Sequence, residues 1–182
     1  MSAPLKKGFT VMELLVVIAI IGLLASILFA SLNEARKRAK ISAATGELRQ
    51  IRLAIESIRI DTGQAFFEIT ENPYSQGGCF DIDLRDIPES HRCYATMHNS
   101  YININEKSGG MLDAYIKGGD IRDPWGSPYV FDENELEFDH DPCRKDSIRS
   151  VGPDGYIKRH DNPSMPYDDI VYRLHFSQPE CY

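Results

Sequence analysis

The chain has 182 residues and a formal net charge of -7, enough for one domain with a real core plus an extension. The charge is split: residues 1–60 hold nine Lys/Arg against four Asp/Glu, and residues 61–182 hold 11 against 23. An acidic surface of that kind repels phosphate backbones, which argues against nucleic acid as a partner of the C-terminal part.

From Phe9 to Leu32 the chain is apolar, broken only by Thr10, Glu13, Gly22, Ser26 and Ser31. A helix over this run rises about 36 Å, against about 30 Å for a bilayer core, and no proline interrupts it. A transmembrane helix is expected. Glu13 is out of place in it, because a carboxylate inside a bilayer costs about 2.5–3.5 kcal/mol on insertion scales. Either Glu13 has a functional partner, or it sits in the first helical turn, favoured by the macrodipole and reaching the headgroups. Before the run stands a short basic leader, Lys6-Lys7-Gly8. A secretory signal peptide would carry its cleavage site after the apolar run, and Leu28-Phe29-Ala30-Ser31 is a poor candidate for one.

The run Lys7-Gly8-Phe9-Thr10-Val11-Met12-Glu13-Leu14-Leu15 resembles the type IV prepilin signature: a basic leader, a glycine, a Phe-Thr pair and a glutamate five positions in. The resemblance implies cleavage between Gly8 and Phe9 by a prepilin peptidase and N-methylation of Phe9. It also implies a partner for Glu13: the amine of Phe9, in its own or a neighbouring subunit. Two opposite charges then neutralise one another where neither could stay alone in hydrocarbon. Further implied partners are other copies of the chain in a helical filament, minor pilins or pseudopilins, and an assembly platform at a bacterial inner membrane.

Beyond the span, Ala44, Leu48, Ile51, Ile55 and Ile58 fall at steps of four, three, four and three, a helical stripe expected to pack on a domain. Glu47, Arg49, Arg52, Glu56 and Arg59 read as the solvated face. Asp61-Thr62-Gly63 supplies the stop, with Gly63 as the C-cap. Phe9 to Asp61 then forms one helix of about 80 Å. Gly46 weakens it by about 1 kcal/mol relative to alanine. Many family members carry a proline near the membrane exit; Ala30 stands there in this chain, which argues against local melting. Arg36, Lys37, Arg38 and Lys40 follow the span, and the positive-inside rule would place that flank in the cytoplasm. The cysteines, the acidic domain and the prepilin pattern place it outside instead. Anionic lipid headgroups or acidic surfaces of adjacent subunits are the alternative uses of this basic collar.

Residues 64–120 are expected to be variable decoration, with a short strand over Tyr101–Ile104 and a short helix over Met111–Ile116. Asp123-Pro124-Trp125-Gly126 is a turn, and Tyr129–Phe131 with Leu136–Phe138 frame a hairpin. A strand over Ser147–Ser150 precedes a Gly152-Pro153-Asp154-Gly155 turn. Ile170, Tyr172, Leu174 and Phe176 alternate with Val171, Arg173 and His175 as in a half-buried final strand. The expected fold class is α+β, a long N-terminal helix packed on a small antiparallel sheet. Its divisions are a leader (1–8), a polymerisation helix (9–32), an amphipathic spine helix (33–62) and a globular domain (63–182).

The cysteines Cys79, Cys93, Cys143 and Cys181 form no Cys-x-x-Cys pair, so a zinc or thioredoxin-like motif has no support. Behind a membrane segment they read as two disulfides in an oxidising compartment. Three connectivities exist; local closure favours Cys79 with Cys93, leaving Cys143 with Cys181. Four buried thiols in a reducing compartment is the competing reading.

Asp123–Tyr129, and Ser150–Gly155 with Asp168-Asp169-Ile170 after it, resemble the major pseudopilin of type II secretion systems. In that family the loop between these pieces binds calcium. The matching positions are Asp154, Asp168 and Asp169, and Asp161 inside the loop adds a candidate ligand. Hard carboxylate oxygens suit Ca²⁺. Lys158, Arg159 and His160 lie in the same loop and oppose a dication; a solvated, turn-rich surface loop is the other reading. No Gly-x-Ser-x-Gly, phosphate loop or His-Glu-x-x-His occurs, and an enzyme is not expected. The reading is a pilin-like filament subunit, of a secretion pseudopilus or a type IV pilus. A monomeric membrane-anchored module that captures a cation or peptide outside the cytoplasm is the alternative.

Overall fold

The structure is a computed structural model describing residues 8, 10–72, 78–113, 121–133, 146–157 and 168–174. Among these residues, three α-helices and three strands run in the order α1 (Val11–Thr62), α2 (Phe66–Thr70), α3 (Arg92–Lys107), β1 (Val130–Asp132), β2 (Ser147–Ser150) and β3 (Ile170–Arg173). The chain divides into two compact units, residues 1–39 and 40–182.

In the first unit, the stretch of α1 from Leu14 to Leu32 carries apolar residues on every side, and the large side chains from Val11 to Leu32 are all exposed, Val11 at 76% and Leu32 at 45%. Among the described residues, α1 is the one helix long and apolar enough to cross a membrane.

In the second unit the rest of α1 becomes one-sided. Ala44, Leu48, Ile51, Ala54, Ile55 and Ile58 are buried, the expected stripe with Ala54 added between its rows. The helix stops at Thr62, where the Gly63 N–H returns to the Arg59 carbonyl at 2.9 Å with Gly63 at φ 70°; a left-handed residue of this kind favours glycine. Glu47 differs from its expected solvated role. It lies at the edge of the buried stripe and accepts the hydroxyl hydrogen bond of the buried Tyr129. Burial, with that carboxylate beside it, pushes the Tyr129 phenol well above its ordinary value.

The region expected to be decoration supplies much of the core. The expected strand over Tyr101–Ile104 lies instead inside α3, whose Cys93, Met97, Tyr101 and Ile104 are buried at steps of four, four and three. Met111–Asp113 is a turn rather than the start of a helix; the remainder of that expected helix, to Ile116, lies outside the described residues. A disulfide joins Cys79 to Cys93, as local closure favours; Cys143 and Cys181 lie outside the described residues.

The sheet has the order β1-β2-β3 and is antiparallel throughout. Val130 faces Arg149 and Asp132 faces Ser147; Ser147 faces Arg173 and Ser150 faces Ile170. Both β1 and β2 are buried along their whole length, whereas β3 alternates as expected, half-buried Ile170 and Tyr172 against exposed Val171 and Arg173. Leu136–Phe138, His175 and Phe176 lie outside the described residues. Helix stripe, α3 and sheet share one hydrophobic cluster. The fold is α+β and pilin-like.

Candidate functional site

The head of α1 is a closed capping box. Thr10 donates its N–H to Glu13 Oε2 at 2.8 Å and its hydroxyl to the same oxygen at 2.9 Å, while the Glu13 N–H donates to Thr10 Oγ1 at 3.2 Å. This reciprocal arrangement satisfies N–H groups that a helix start leaves without intrahelical partners. The spacing Thr-x-x-Glu is its sequence signal. It gives Glu13 a local use beside the one the prepilin resemblance implies. Gly8 is exposed, and Phe9 lies outside the described residues.

The two turn motifs of the C-terminal part meet in space. Asp123 Oδ1 accepts the N–H groups of Trp125 at 2.9 Å and Ser127 at 3.0 Å, and its other oxygen accepts the Ser150 hydroxyl. Burial raises the Asp123 carboxyl above its ordinary value, against the pull of the Ser150 hydroxyl and the backbone N–H donors. The segment Asp83–Asp86 clips both turns. Leu84 N–H donates to the Gly155 carbonyl at 2.8 Å, Arg85 Nη1 to Pro153 O at 2.9 Å, and Asp86 N–H to Gly126 O at 3.0 Å. Gly126 is at φ 96°, and a Cβ there would lie 2.5 Å from Asp86 Oδ1, so glycine is required for this approach.

Next to these turns, Asp154, Asp168 and Asp169 place one carboxylate oxygen each within 4.8 Å of one another. Asp154 comes from a 3-10 turn over Gly152–Asp154, and the other two lie just before β3. The Asp154 N–H donates to Asp168 Oδ2 at 3.3 Å. A Cβ on Gly152 would stand 2.6 Å from the Asp168 carbonyl oxygen, so the turn is pressed directly against that strand entry. Three hard carboxylates at this spacing fit a calcium-type cation, which takes six to eight oxygens. Fixed cations stand beside them: Arg85, hydrogen-bonded to the Pro153 carbonyl next to Asp154, and Arg149. Buried Arg149 holds Asp132 Oδ2 at 2.6 Å and reaches Asp169 Oδ2 at 4.0 Å. Asp161, Lys158, Arg159 and His160 lie outside the described residues.

Comparison with known proteins agrees with the head of the helix first. Residues 4–29 match the prokaryotic N-terminal methylation motif. Over 110 residues the chain is 34% identical to the type IV wide pilus major component PilA4 of Thermus thermophilus, an alignment covering 58% of this chain and 77% of that protein. It is 41% identical over 61 residues to the type IV major fimbrial protein FimA of Dichelobacter nodosus, covering 34% of this chain and 39% of the relative. It is 25% identical over 126 residues to the type II secretion system core protein G of Pseudomonas aeruginosa, covering 69% and 72%. No solved structure matches. With the methylation motif leading into the lipid-compatible part of α1, and most of a major pilus component matched, the chain belongs to the type IV pilin and pseudopilin family.

Proposed function

We propose that this chain is a filament subunit made as a membrane-anchored precursor, cut between Gly8 and Phe9, methylated at Phe9 and polymerised through the apolar half of α1. The observation that carries the reading is a helix with its large apolar side chains from Val11 to Leu32 exposed, headed by an acid. Water does not tolerate such a surface, whereas lipid and then the packed helices of other subunits do; the exchange trades lipid contacts for close van der Waals packing. The anchor would place the acidic unit outside the inner membrane. Prepilin peptidase, an inner-membrane platform and minor subunits are the partners this route requires.

Glu13 offers the test. Because a glutamine can replace glutamate in a capping box, Glu13→Gln keeps the local cap and removes only the charge. The filament reading expects the variant to insert into membranes and to yield few or no sheared filaments. Wild-type filament yield from Glu13→Gln would confine the residue to capping. Mass spectrometry of the mature N-terminus separates this reading from a monomeric anchored module, which would keep its leader. Loss of protein export or loss of surface pili in a deletion strain then separates pseudopilus from pilus. PilA4 has the higher identity, while protein G aligns over more of the chain.

A second element of the proposal is calcium, held by Asp154, Asp168 and Asp169, whose donor chemistry and spacing support it. The ion would tie the 3-10 turn to the entry of β3. Calcium should raise the melting temperature of the wild-type chain and not that of Asp168→Asn; equal melting curves with calcium and with chelator would remove the ion from the account.

A further inference from the structure

Among the described residues, Arg36, Lys37 and Arg38, just past the apolar half of α1, take no part in the capping, packing or acidic cluster described above. Arg36, Lys37 and Arg38 are consecutive and exposed. Among the described residues, only Arg38 is seen with an acid, Glu34 at 3.0 Å, in a pair whose two side chains are 78% and 57% exposed. Such pairs are weak and leave the cation available. Lys40 is engaged differently, its ammonium 6.0 Å from the centre of the Trp125 ring.

Successive helical residues turn by about 100°, so Arg36, Lys37 and Arg38 fan across about 200° of the helix circumference within about 3 Å of axial rise. They begin four residues past Leu32, about 6 Å beyond the apolar run. That is headgroup depth for a helix whose run fills the hydrocarbon core, and long basic side chains reach to either side of it. A folded partner touches a helix from one side. A lipid leaflet surrounds it. The fan therefore fits a ring of headgroups better than the acidic surface of a second copy.

We propose that Arg36, Lys37 and Arg38 form a binding collar for the phosphate groups of anionic lipid headgroups. The inference rests on the membrane-spanning reading of α1. The collar holds the free subunit at a fixed depth, and a subunit leaving the membrane for a filament has to give up these headgroups. It also accounts for basic residues on the flank that leads to the acidic unit, where the positive-inside rule does not place them.

The test uses the full chain. Floatation with phosphatidylcholine vesicles first reads membrane insertion. The chain is then purified from detergent containing equal phosphatidylglycerol and phosphatidylcholine, and the retained lipids are counted by mass spectrometry. Wild type is expected to retain phosphatidylglycerol preferentially, at about fivefold per collar cation before screening, and the preference should fall as salt rises. Arg36→Gln/Lys37→Gln/Arg38→Gln should lose it, and Arg36→Lys/Arg38→Lys should keep it; all of these are good helix formers. Inorganic phosphate should displace the lipid no better than chloride at equal ionic strength. Equal retention of both lipids by a chain that floats would overturn the collar alone. So would displacement by phosphate as a specific ligand, or a triple Gln variant that loses self-association but not lipid. A chain that does not float would overturn the membrane reading and the collar with it.

Discussion

The two halves of α1 share one helical geometry and differ in how their apolar residues are laid on it. Between Val11 and Leu32 large apolar residues occupy every side and are exposed; between Ala44 and Ile58 they keep to one stripe and are buried. Backbone and hydrogen bonding do not differ. The difference lies in where the partner surface comes from. The second half buries its stripe on its own chain, through α3 and the sheet, while the first has to find lipid or other helices outside it. A one-sided stripe therefore identifies an internal partner and an all-round apolar surface an external one.

This contrast is broken or sharpened most strongly by paired truncations. Ile51→Ala in the buried stripe should cost the domain about 2–5 kcal/mol, read as a large drop in the thermal midpoint followed by Trp125 fluorescence. Ile18→Ala in the exposed half should leave that midpoint unchanged. Equal shifts would abolish the distinction. The next effect is the Cys79–Cys93 disulfide, which closes a short loop; Cys79→Ser/Cys93→Ser should cost about 3 kcal/mol in the same assay and nothing in membrane insertion.

A smaller effect belongs to Asp123. Its folded pKa lies above the ordinary 3.8 because of burial, so the fold favours its protonated form. Its contribution to stability is fully present below pH 3.8 and is lost as pH rises through the raised value. Asp123→Asn removes this dependence, so the stability of the variant relative to wild type should climb across that window. A flat difference would mean that the carboxyl titrates normally. The smallest effect is at Gly46, where an added Cβ meets nothing within 4 Å. Gly46→Ala should stabilise the helix by about 1 kcal/mol, measured by denaturant unfolding.

How far the fold is legible in the chain varies by element, and for physical reasons. The α1 stripe is plain because five apolar residues repeat over four turns between charged ones. Helix α3 is obscured because Tyr101-Ile102-Asn103-Ile104 is rich in β-favouring residues, although Cys93, Met97, Tyr101 and Ile104 carry the helical spacing. Its N-cap is His91, whose Nδ1 accepts the Cys93 N–H at 3.2 Å, and histidine is not among the common capping residues. At the candidate sites, local chemistry is readable and juxtaposition is not. The capping box is contained in four residues. The Asp123–Ser150 bond and the meeting of Asp154 with Asp168 and Asp169 depend on the turns and on β2 pairing with β3, which bring distant positions together. Glu47 reads as solvated because nothing near it in the chain announces Tyr129.

The closed first turn of α1 has a consequence for timing. Thr10 and Glu13 complete the start of the helix from within the chain, so winding of the apolar segment needs no liberated amine. Under the processing proposed above, removal of the leader would then act as permission to polymerise rather than as a step in folding.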